Sequence, residues 1–300
     1  MTRRLLIAGP TASGKTALSL AAAERLDGEI INADSMQVYN RLPILTAQPS
    51  VEDFSTYQHE LYSVLDPNMA CSAGNWREMV EPVIIRVIEE GKAPIIVGGS
   101  GLYIKSLIDG LSPIPDIPED VRQQVVKMQE KLGNPDFHAA LEKRDPIMAE
   151  RFHPYHTARL IRAYEVLEAT GKSLAEWQKL PPLMPPEEWG FHIFLIMPER
   201  EVLYDRCNRR FDWMLENGAM EEVQGFLEDM QAGDIEETSL LMKALGLKPL
   251  LAYLKDDLSF EDAKERAQAD TRQYAKRQVT WFRHQIKKDN KNIAKIETIT

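Results

Sequence analysis

The chain of 300 residues has only two cysteines, Cys71 and Cys207, far apart and in no metal-ligand spacing. That scarcity excludes a disulfide framework and a cysteine-built zinc site, and it points to a reducing cytosol. No apolar run approaches the roughly 20 residues that a helix needs to span a bilayer, so no membrane association is expected. Met1-Thr2-Arg3-Arg4 leads straight into an apolar stretch too short for a secretory signal, with no small-residue cleavage site. Basic residues are also in deficit. The net charge of −10, taken alone, argues against a nucleic-acid partner. No internal repeat is visible. What remains, 44% hydrophobic and 27% charged residues, is ordinary for a soluble globular protein, and the length suffices for one or two domains.

Against these absences stands one dense local pattern. Gly9-Pro10-Thr11-Ala12-Ser13-Gly14-Lys15-Thr16 lies between an apolar run at 5–8 and a helical pattern from Ala17. Strand, glycine-rich turn and helix together make the setting of a phosphate-binding loop. Gly9 and Gly14 let the backbone curl until successive N–H groups face an anion. Lys15 adds a point charge, and the Thr16 hydroxyl suits a magnesium ion. The helix that follows turns its positive end toward the same anion. The pattern predicts a ligand carrying a di- or triphosphate, but not the reaction that follows.

Apolar periodicity predicts strands at 5–8, 29–33 and 93–97 and helices at 15–26 and 75–90, the latter with Trp76, Met79, Val83 and Val87 on one stripe. Unbroken apolar strands separated by helices predict an α/β fold: a P-loop NTPase-like parallel sheet covered by helices. Pro113, Pro115 and Pro118 mark a boundary. Residues 119–180 read as helices, and Pro181-Pro182 and Pro185-Pro186 close them off before a strand returns at 192–197. The expected organisation is a catalytic core of 1–115 and 191–300, interrupted by a mostly helical insertion at 116–190. In the last third, a helix from Glu199 places Leu203, Cys207, Phe211 and Met214 on one face. Ser259 and Asp262 resemble a capping box that opens a helix running past Trp281. Residues 293–299 read as a final strand.

Open parallel sheets bind ligands beyond the carboxyl ends of their strands. Here those ends carry the phosphate loop, Asp34-Ser35-Met36-Gln37, and Gly98-Gly99-Ser100-Gly101-Leu102-Tyr103. Lys15, Asp34 and Ser100 are therefore expected in one crevice. Asp34 suits a general base or a water-mediated metal ligand; the plainer reading is a cap on the next turn. Ser100 is either a polar contact or a helix N-cap. Arg206 and Arg210 stand four apart, where like charges repel by roughly 0.2–0.5 kcal/mol unless an anion lies between them. Arg159 and Arg162 pose the same question within the insertion, and a solvated surface is the alternative for both pairs. Residues 272–295 carry eight basic side chains, including Arg272, Lys276, Arg283 and Lys287, against the single acid Asp289. Such a stretch either steers a polyanion or is a solvated tail. Tyr274, Trp281 and Phe282, interleaved with it, suit stacking on unpaired RNA bases or a place in the core.

Five segments, in order, resemble the bacterial tRNA dimethylallyltransferase family. They are the phosphate loop at 9–16, the aspartate motif at 29–39, a Gly-Gly-Ser-Gly-Leu-Tyr segment at 98–103, the arginine helix at 159–167, and a C-terminal signature at 271–283. Three departures stand out. Ser100 replaces the family's usual Thr, Pro154-Tyr155-His156 stands for Pro-Asn-Asp, and Leu45-Thr46-Ala47-Gln48-Pro49 for Gly-Thr-Ala-Lys-Pro.

The resemblance implies transfer of a dimethylallyl group from dimethylallyl diphosphate to the N6 amine of the adenine 3′-adjacent to the anticodon. Residues 9–16 would hold the diphosphate. Lys15, Arg210 and Mg²⁺ on Thr16 would neutralise it as it leaves. Asp34 would draw a proton from the amine, and Ser100 would orient it. The partner would be the anticodon stem-loop of tRNA, gripped by Asp34, Ser35, Met36, Gln37 and Ser100, by Arg122 and Ala158-Arg159-Leu160-Ile161-Arg162, and by Arg272 and Lys276. A cytoplasmic monomer is expected. The rivals are a small-molecule or nucleoside kinase using ATP, and a non-catalytic RNA-binding protein. Against the kinase, no clear Walker-B strand ending in aspartate and no arginine-rich lid typical of small kinases is visible.

Overall fold

A computed structural model describes residues 4–186, 189–286 and 290–300 of the chain. Its strands are β1 (Arg4–Ala8), β2 (Gly28–Asn32), β3 (His59–Glu60), β4 (Ala93–Gly98), β5 (Phe191–Ile196) and β6 (Ile293–Ile299). They form one parallel sheet in the order β3-β2-β4-β1-β5-β6. Helices α1 (Lys15–Leu26), α2 (Val51–Thr56), α3 (Ala73–Glu89) and α4 (Gly101–Asp109) belong to the first part of the chain. Helices α5 (Glu119–Arg144), α6 (Pro146–Arg151), α7 (Thr157–Thr170) and α8 (Leu174–Trp177) follow before β5. Helices α9 (Arg200–Glu216), α10 (Ala219–Ala232), α11 (Leu247–Leu254) and α12 (Phe260–Gln285) come between β5 and β6.

Side chains alternate across the sheet. Leu5, Ile7, Ile30, Ile95 and Val97 share a cluster with Leu18 and Ala23 of α1. Leu6, Ala8, Ile31 and Ile96 go to the opposite face, with Trp76, Val80 and Ile84 of α3 and with the later helices. Both faces are covered, and this is why the strands read as unbroken apolar runs. The stripe on α3 is turned slightly from the expected one. Trp76, Val80, Ile84 and Val87 are buried, while Met79 and Val83 pack at its margin. The helix also starts at Ala73, where Ser72 and Asn75 close a full capping box. On α9 the buried residues are Leu203, Cys207, Phe211 and Met214.

The chain divides into two compact units, Met1–Asp109 with Pro185–Thr300, and Gly110–Met184. The second unit therefore runs over 110–184 rather than the expected 116–190. Its ends are clasped by an antiparallel bridge, Leu183 N–H to Leu111 C=O at 2.7 Å and Leu111 N–H to Leu183 C=O at 3.3 Å. Gly110 has φ 75°, and a Cβ there would lie 2.4 Å from the Leu183 carbonyl oxygen, so the clasp requires glycine. The prolines at 113–118 fall inside the unit, after the clasp. Trp189 belongs to the core of the first unit. The second unit has its own core around Phe137, Leu141, Met148, Leu160 and Ala163.

At the N-terminus of α12, Ser259 accepts from the Asp262 amide at 3.1 Å. The Asp262 carboxylate takes the Ser259 hydroxyl instead of the backbone N–H of a full box. The helix ends at Gln285. Lys287, Lys288 and Asp289 of the expected basic segment lie outside the described residues, and Lys295 stands on β6, paired with Glu297 at 2.7 Å.

Candidate active site

β1 runs directly into the phosphate loop, and α1 starts at Lys15. Gly14 precedes the helix with φ 99°, a conformation that costs a side-chain-bearing residue energy. The first amides of α1 have no partner within the helix. The Ser13 hydroxyl is buried and unpartnered. Lys15 Nζ folds back to donate to the Pro10 carbonyl at 2.7 Å. Burial draws the Lys15 ammonium down to about 8; Asp34 opposes that shift and Arg210 adds to it.

Both arginines of the spaced pair on α9 reach the loop. Arg210 Nη2 donates to Thr11 Oγ1 at 2.5 Å, and Arg206 Nη1 donates to the Ser13 carbonyl at 3.3 Å. Burial also lowers the pKa of Arg210, while Cys207 and Asp34 oppose the shift. Three cations crowded around empty amides leave a net demand for an anion. Two loop amides are not offered to a ligand. Ser13 N–H donates to the Pro10 carbonyl at 3.3 Å. Thr11 N–H donates to Gln278 Oε1 at 2.8 Å.

Asp34 is held from behind. Asn32, fully buried, accepts from the Asp34 amide at 2.8 Å and donates to the carbonyls of Asp34 (3.1 Å) and Leu61 (3.0 Å). The Trp76 indole donates to the Asn32 carbonyl at 2.9 Å. Asp34 Oδ1 accepts from the Met36 amide at 3.0 Å, so the capping role does exist. It occupies one oxygen only. Oδ2 has no hydrogen-bond partner among the described residues.

Two cavities of about 340 Å³ each share the walls Thr11, Asp34, Thr46 and Arg210. One follows the phosphate loop from Thr11 to Thr16 and includes Arg206 and Tyr62. The other is lined by Met36, Leu45, Phe211 and Met214, with Lys243 and Tyr274 among its polar residues. Burial, then the charge of Asp34, raises the pKa of Tyr274.

Ser100 lines neither cavity. It is buried, with Oγ accepting from the Ser35 amide at 2.8 Å and donating to Ser35 Oγ at 3.1 Å. Its hydroxyl is engaged with the Ser35 segment of the Asp34 loop, and its carbonyl accepts from the Ile104 amide at 3.1 Å at the start of α4, so Ser100 takes the N-cap position without a side-chain cap to that helix. Gln37 borders the phosphate cavity, but its amide group donates to the Thr46 and Ala47 carbonyls at 2.9 and 2.7 Å. Ser35 and Met36 border the second cavity.

The departure at 45–49 has a local explanation. Positive φ falls at Leu42 and Ala47, not at Leu45, so no glycine is needed there. The half-buried carboxylate of Glu222 accepts from the amides of Ile44 and Leu45 at 2.8 and 2.9 Å. Gln48, in place of the usual Lys, donates to the Tyr39 carbonyl at 2.9 Å.

In the second unit, Arg122, Ala158, Arg159 and Arg162 are exposed. Arg162 is paired with the buried Glu165 at 2.6 Å. Ile161 is partly buried, and Leu160 is fully buried in that unit's core. Leu160 therefore holds α7 in place and is corrected from an RNA contact to a packing residue. On α12, Lys276 is exposed, while Arg272 donates to Asn208 Oδ1 at 2.6 Å and is half-buried. Phe282 is core, and Trp281 packs against its edge at 5.2 Å between ring centroids.

Three residues that shape the site went unread in the sequence: Asn32, Glu222 and Gln278. Gln278 bridges two loops, since its Nε2 also donates to the Gly99 carbonyl at 2.8 Å. All three bind backbone atoms of other segments, and side-chain periodicity carries no signal of that. A buried-polar residue within an otherwise apolar strand, as at Asn32, is the one cue available.

Comparison with known proteins gives a consistent result. The family model described as IPP transferase matches residues 37–285. The chain is 46% identical to a tRNA dimethylallyltransferase of Rhodospirillum centenum over 282 residues, 94% of this chain and 88% of that one. It is 45% identical to the enzyme of the same name from Nitrobacter hamburgensis over 284 residues, with coverage of 94% and 88%. Among solved structures, a tRNA isopentenylpyrophosphate transferase of Bacillus halodurans matches with a TM-score of 0.65 at 33% identity, covering 99% of this chain and 91% of that one. A eukaryotic dimethylallyltransferase acting on tRNA matches with a TM-score of 0.77 at 28% identity, covering 94% and 70%.

Proposed function

This chain belongs to the IPP transferase family, whose relatives are tRNA dimethylallyltransferases, and from that premise we propose that it transfers a dimethylallyl group from dimethylallyl diphosphate to the N6 amine of an adenine beside the tRNA anticodon. The kinase alternative falls with the family assignment. The observation that carries the reading of the site is Asp34, standing on the wall common to a cationic phosphate cavity and a partly apolar one.

The diphosphate enters the loop at 9–16, and the five-carbon chain extends toward Met36, Leu45, Phe211 and Met214. Lys15 leaves the Pro10 carbonyl for the phosphates, and Arg210, aimed by Thr11, meets them from α9. The adenine is turned out of its stack to reach Asp34. N6 attacks the allylic carbon, the carbon–oxygen bond breaks, and pyrophosphate leaves with the electron pair. The N6 proton passes to Asp34. Lys15 and Arg210 stabilise the charge that builds on the leaving group. Ser100 acts one step back, by holding the Ser35 amide.

The donor set suits magnesium. Thr16 offers an exposed hydroxyl at the mouth of the loop, Asp34 a carboxylate, and the described residues contain no group of three or more His, Cys, Asp or Glu that makes a complete cage. Magnesium is characteristically held by one or two protein oxygens plus phosphates and water. Bound at Thr16, it would supply charge neutralisation to the diphosphate.

Arg122, Arg159 and Lys276 are the exposed cations proposed to meet the anticodon stem-loop. The protein is further proposed to work as a cytosolic monomer; its two cysteines are unpaired, as a reducing compartment favours. Mass spectrometry of unmodified tRNA incubated with protein, dimethylallyl diphosphate and magnesium tests the reaction. One added five-carbon unit on an adenosine of the anticodon loop is expected. Anticodon-loop adenosines that stay unmodified while the dimethylallyl diphosphate is recovered intact would overturn it.

A further inference from the structure

The turn between α6 and α7 presents aromatic rings to solvent. Tyr155 is 68% exposed, the most exposed Phe, Tyr or Trp among the described residues. The His153 ring stacks against it with centroids 5.6 Å apart and planes at 30°, and His156 meets His153 edge-on at 5.9 Å. The turn is pinned from within. The Tyr155 amide donates to His153 Nδ1 at 3.3 Å, and the His156 amide donates to the His153 carbonyl at 2.8 Å. The platform is therefore ordered before any ligand arrives.

Packing does not require these rings, since Tyr155 takes no part in the unit's core. Helix stability does not require them either. His156 occupies the N-cap of α7 and makes no side-chain capping bond, where Asp or Asn would stabilise the helix. The turn itself carries no acid, although Glu150 precedes it and Glu165 pairs with Arg162. From Arg151 to Tyr164 the chain has three arginines and two histidines and no acid. Exposed Arg159 lies one turn into α7, with its guanidinium over the Phe152 ring at 5.8 Å. A flat exposed ring and an exposed cation four residues on in the same short segment match an unpaired base joined to a phosphate.

We propose that Tyr155, backed by His153, stacks on one unpaired base of the RNA substrate while Arg159 pairs with a neighbouring phosphate. This rests on tRNA being the substrate. The test is fluorescence anisotropy of the full-length protein with a labelled anticodon stem-loop and with a blunt RNA duplex of equal phosphate number. Tyr155→Ala is expected to weaken stem-loop binding between about 5- and 150-fold, the range of one stacked base. Tyr155→Phe should bind like wild type, and duplex affinity should not change in either variant. The salt dependence should keep its slope in Tyr155→Ala and lose about one phosphate's worth in Arg159→Ala.

Wild-type stem-loop affinity in Tyr155→Ala, an equal loss on the duplex, or no recovery in Tyr155→Phe would each overturn the proposal. An unchanged thermal melt of each variant shows that folding is not the cause. Prenylation of the same stem-loop by wild type is read in parallel. If it occurs while Tyr155→Ala binds normally, the stacking proposal alone fails. If wild type neither binds nor modifies the stem-loop, the tRNA reading fails and takes this proposal with it.

Discussion

Asp34 carries two duties that a single substitution can separate. Its Oδ1 holds the Met36 amide, and its carboxylate is proposed to receive the N6 proton. Asp34→Asn keeps the oxygen that accepts from Met36 but cannot take the proton. Turnover is expected to fall by about 10²- to 10⁴-fold. Diphosphate affinity should hold or tighten, because the substitution removes a negative charge that Lys15 and Arg210 both feel. Calorimetry with dimethylallyl diphosphate, beside single-turnover kinetics, separates the two; weakened binding with intact turnover contradicts the base assignment. Lys15 gives a pH signature at the same scale. Its pKa is drawn down to about 8, first by burial. A phosphate anion prefers the ammonium form, so affinity is full below that value and declines as pH rises through it. The decline approaches about tenfold per pH unit. Diphosphate titrations across this range should show it, and Lys15→Arg, which stays charged, should flatten the profile if it retains binding. A flat wild-type profile would remove Lys15 as the titrating group.

At the scale of elements, α12 braces the site as well as covering the sheet. Gln278 joins the loop after β1 to the loop after β4, and its partners are the Thr11 amide and the Gly99 carbonyl. Thr11 in turn receives Arg210. Gln278→Leu leaves the buried Gly99 carbonyl unpaired, at a cost of about 1–3 kcal/mol, and releases the half-buried Thr11 amide. The melting temperature should drop. KM for dimethylallyl diphosphate should rise about tenfold or more, equal to a loss of about 1.4 kcal/mol, as the loop and Arg210 lose their register. An unchanged KM beside a lowered melting temperature would make Gln278 a stability residue only. This brace also marks the limit of what periodicity reveals. Every strand but the two-residue β3, and most helices, were legible because apolar spacing reports which face is buried. The stripe Leu203-Cys207-Phe211-Met214 is a case in point. Leu160 was legible in principle and was misread. Leu160, Ala163 and Tyr164 follow helical spacing, and all three are buried, but the flanking arginines drew the whole segment into the RNA surface. Gln278 and Asn32 were not legible, since their partners are backbone atoms brought close only by the fold.

For the whole molecule, division into two units separates stability from chemistry. Every residue of the core around Phe137 and Leu141 lies within 110–184, and every residue of the sheet's two cores lies outside it. The phosphate loop, Asp34 and both cavities belong to the sheet unit. Arg122, Arg159 and Arg162 belong to the other. A net charge of −10 does not bar a polyanion, because the field at exposed cations governs steering, not the total. The division also yields a directional prediction. Phe137 is fully buried and stacked on Tyr164 at 5.2 Å. Phe137→Ala should destabilise its unit by about 3–5 kcal/mol. Limited proteolysis should then cut first within 110–184, and stem-loop affinity should fall with the loss of ordered α7. Dimethylallyl diphosphate binding should survive, because the phosphate loop and both cavities are built from the other unit. Equal loss of diphosphate and stem-loop binding would show that the two units do not hold their functions separately.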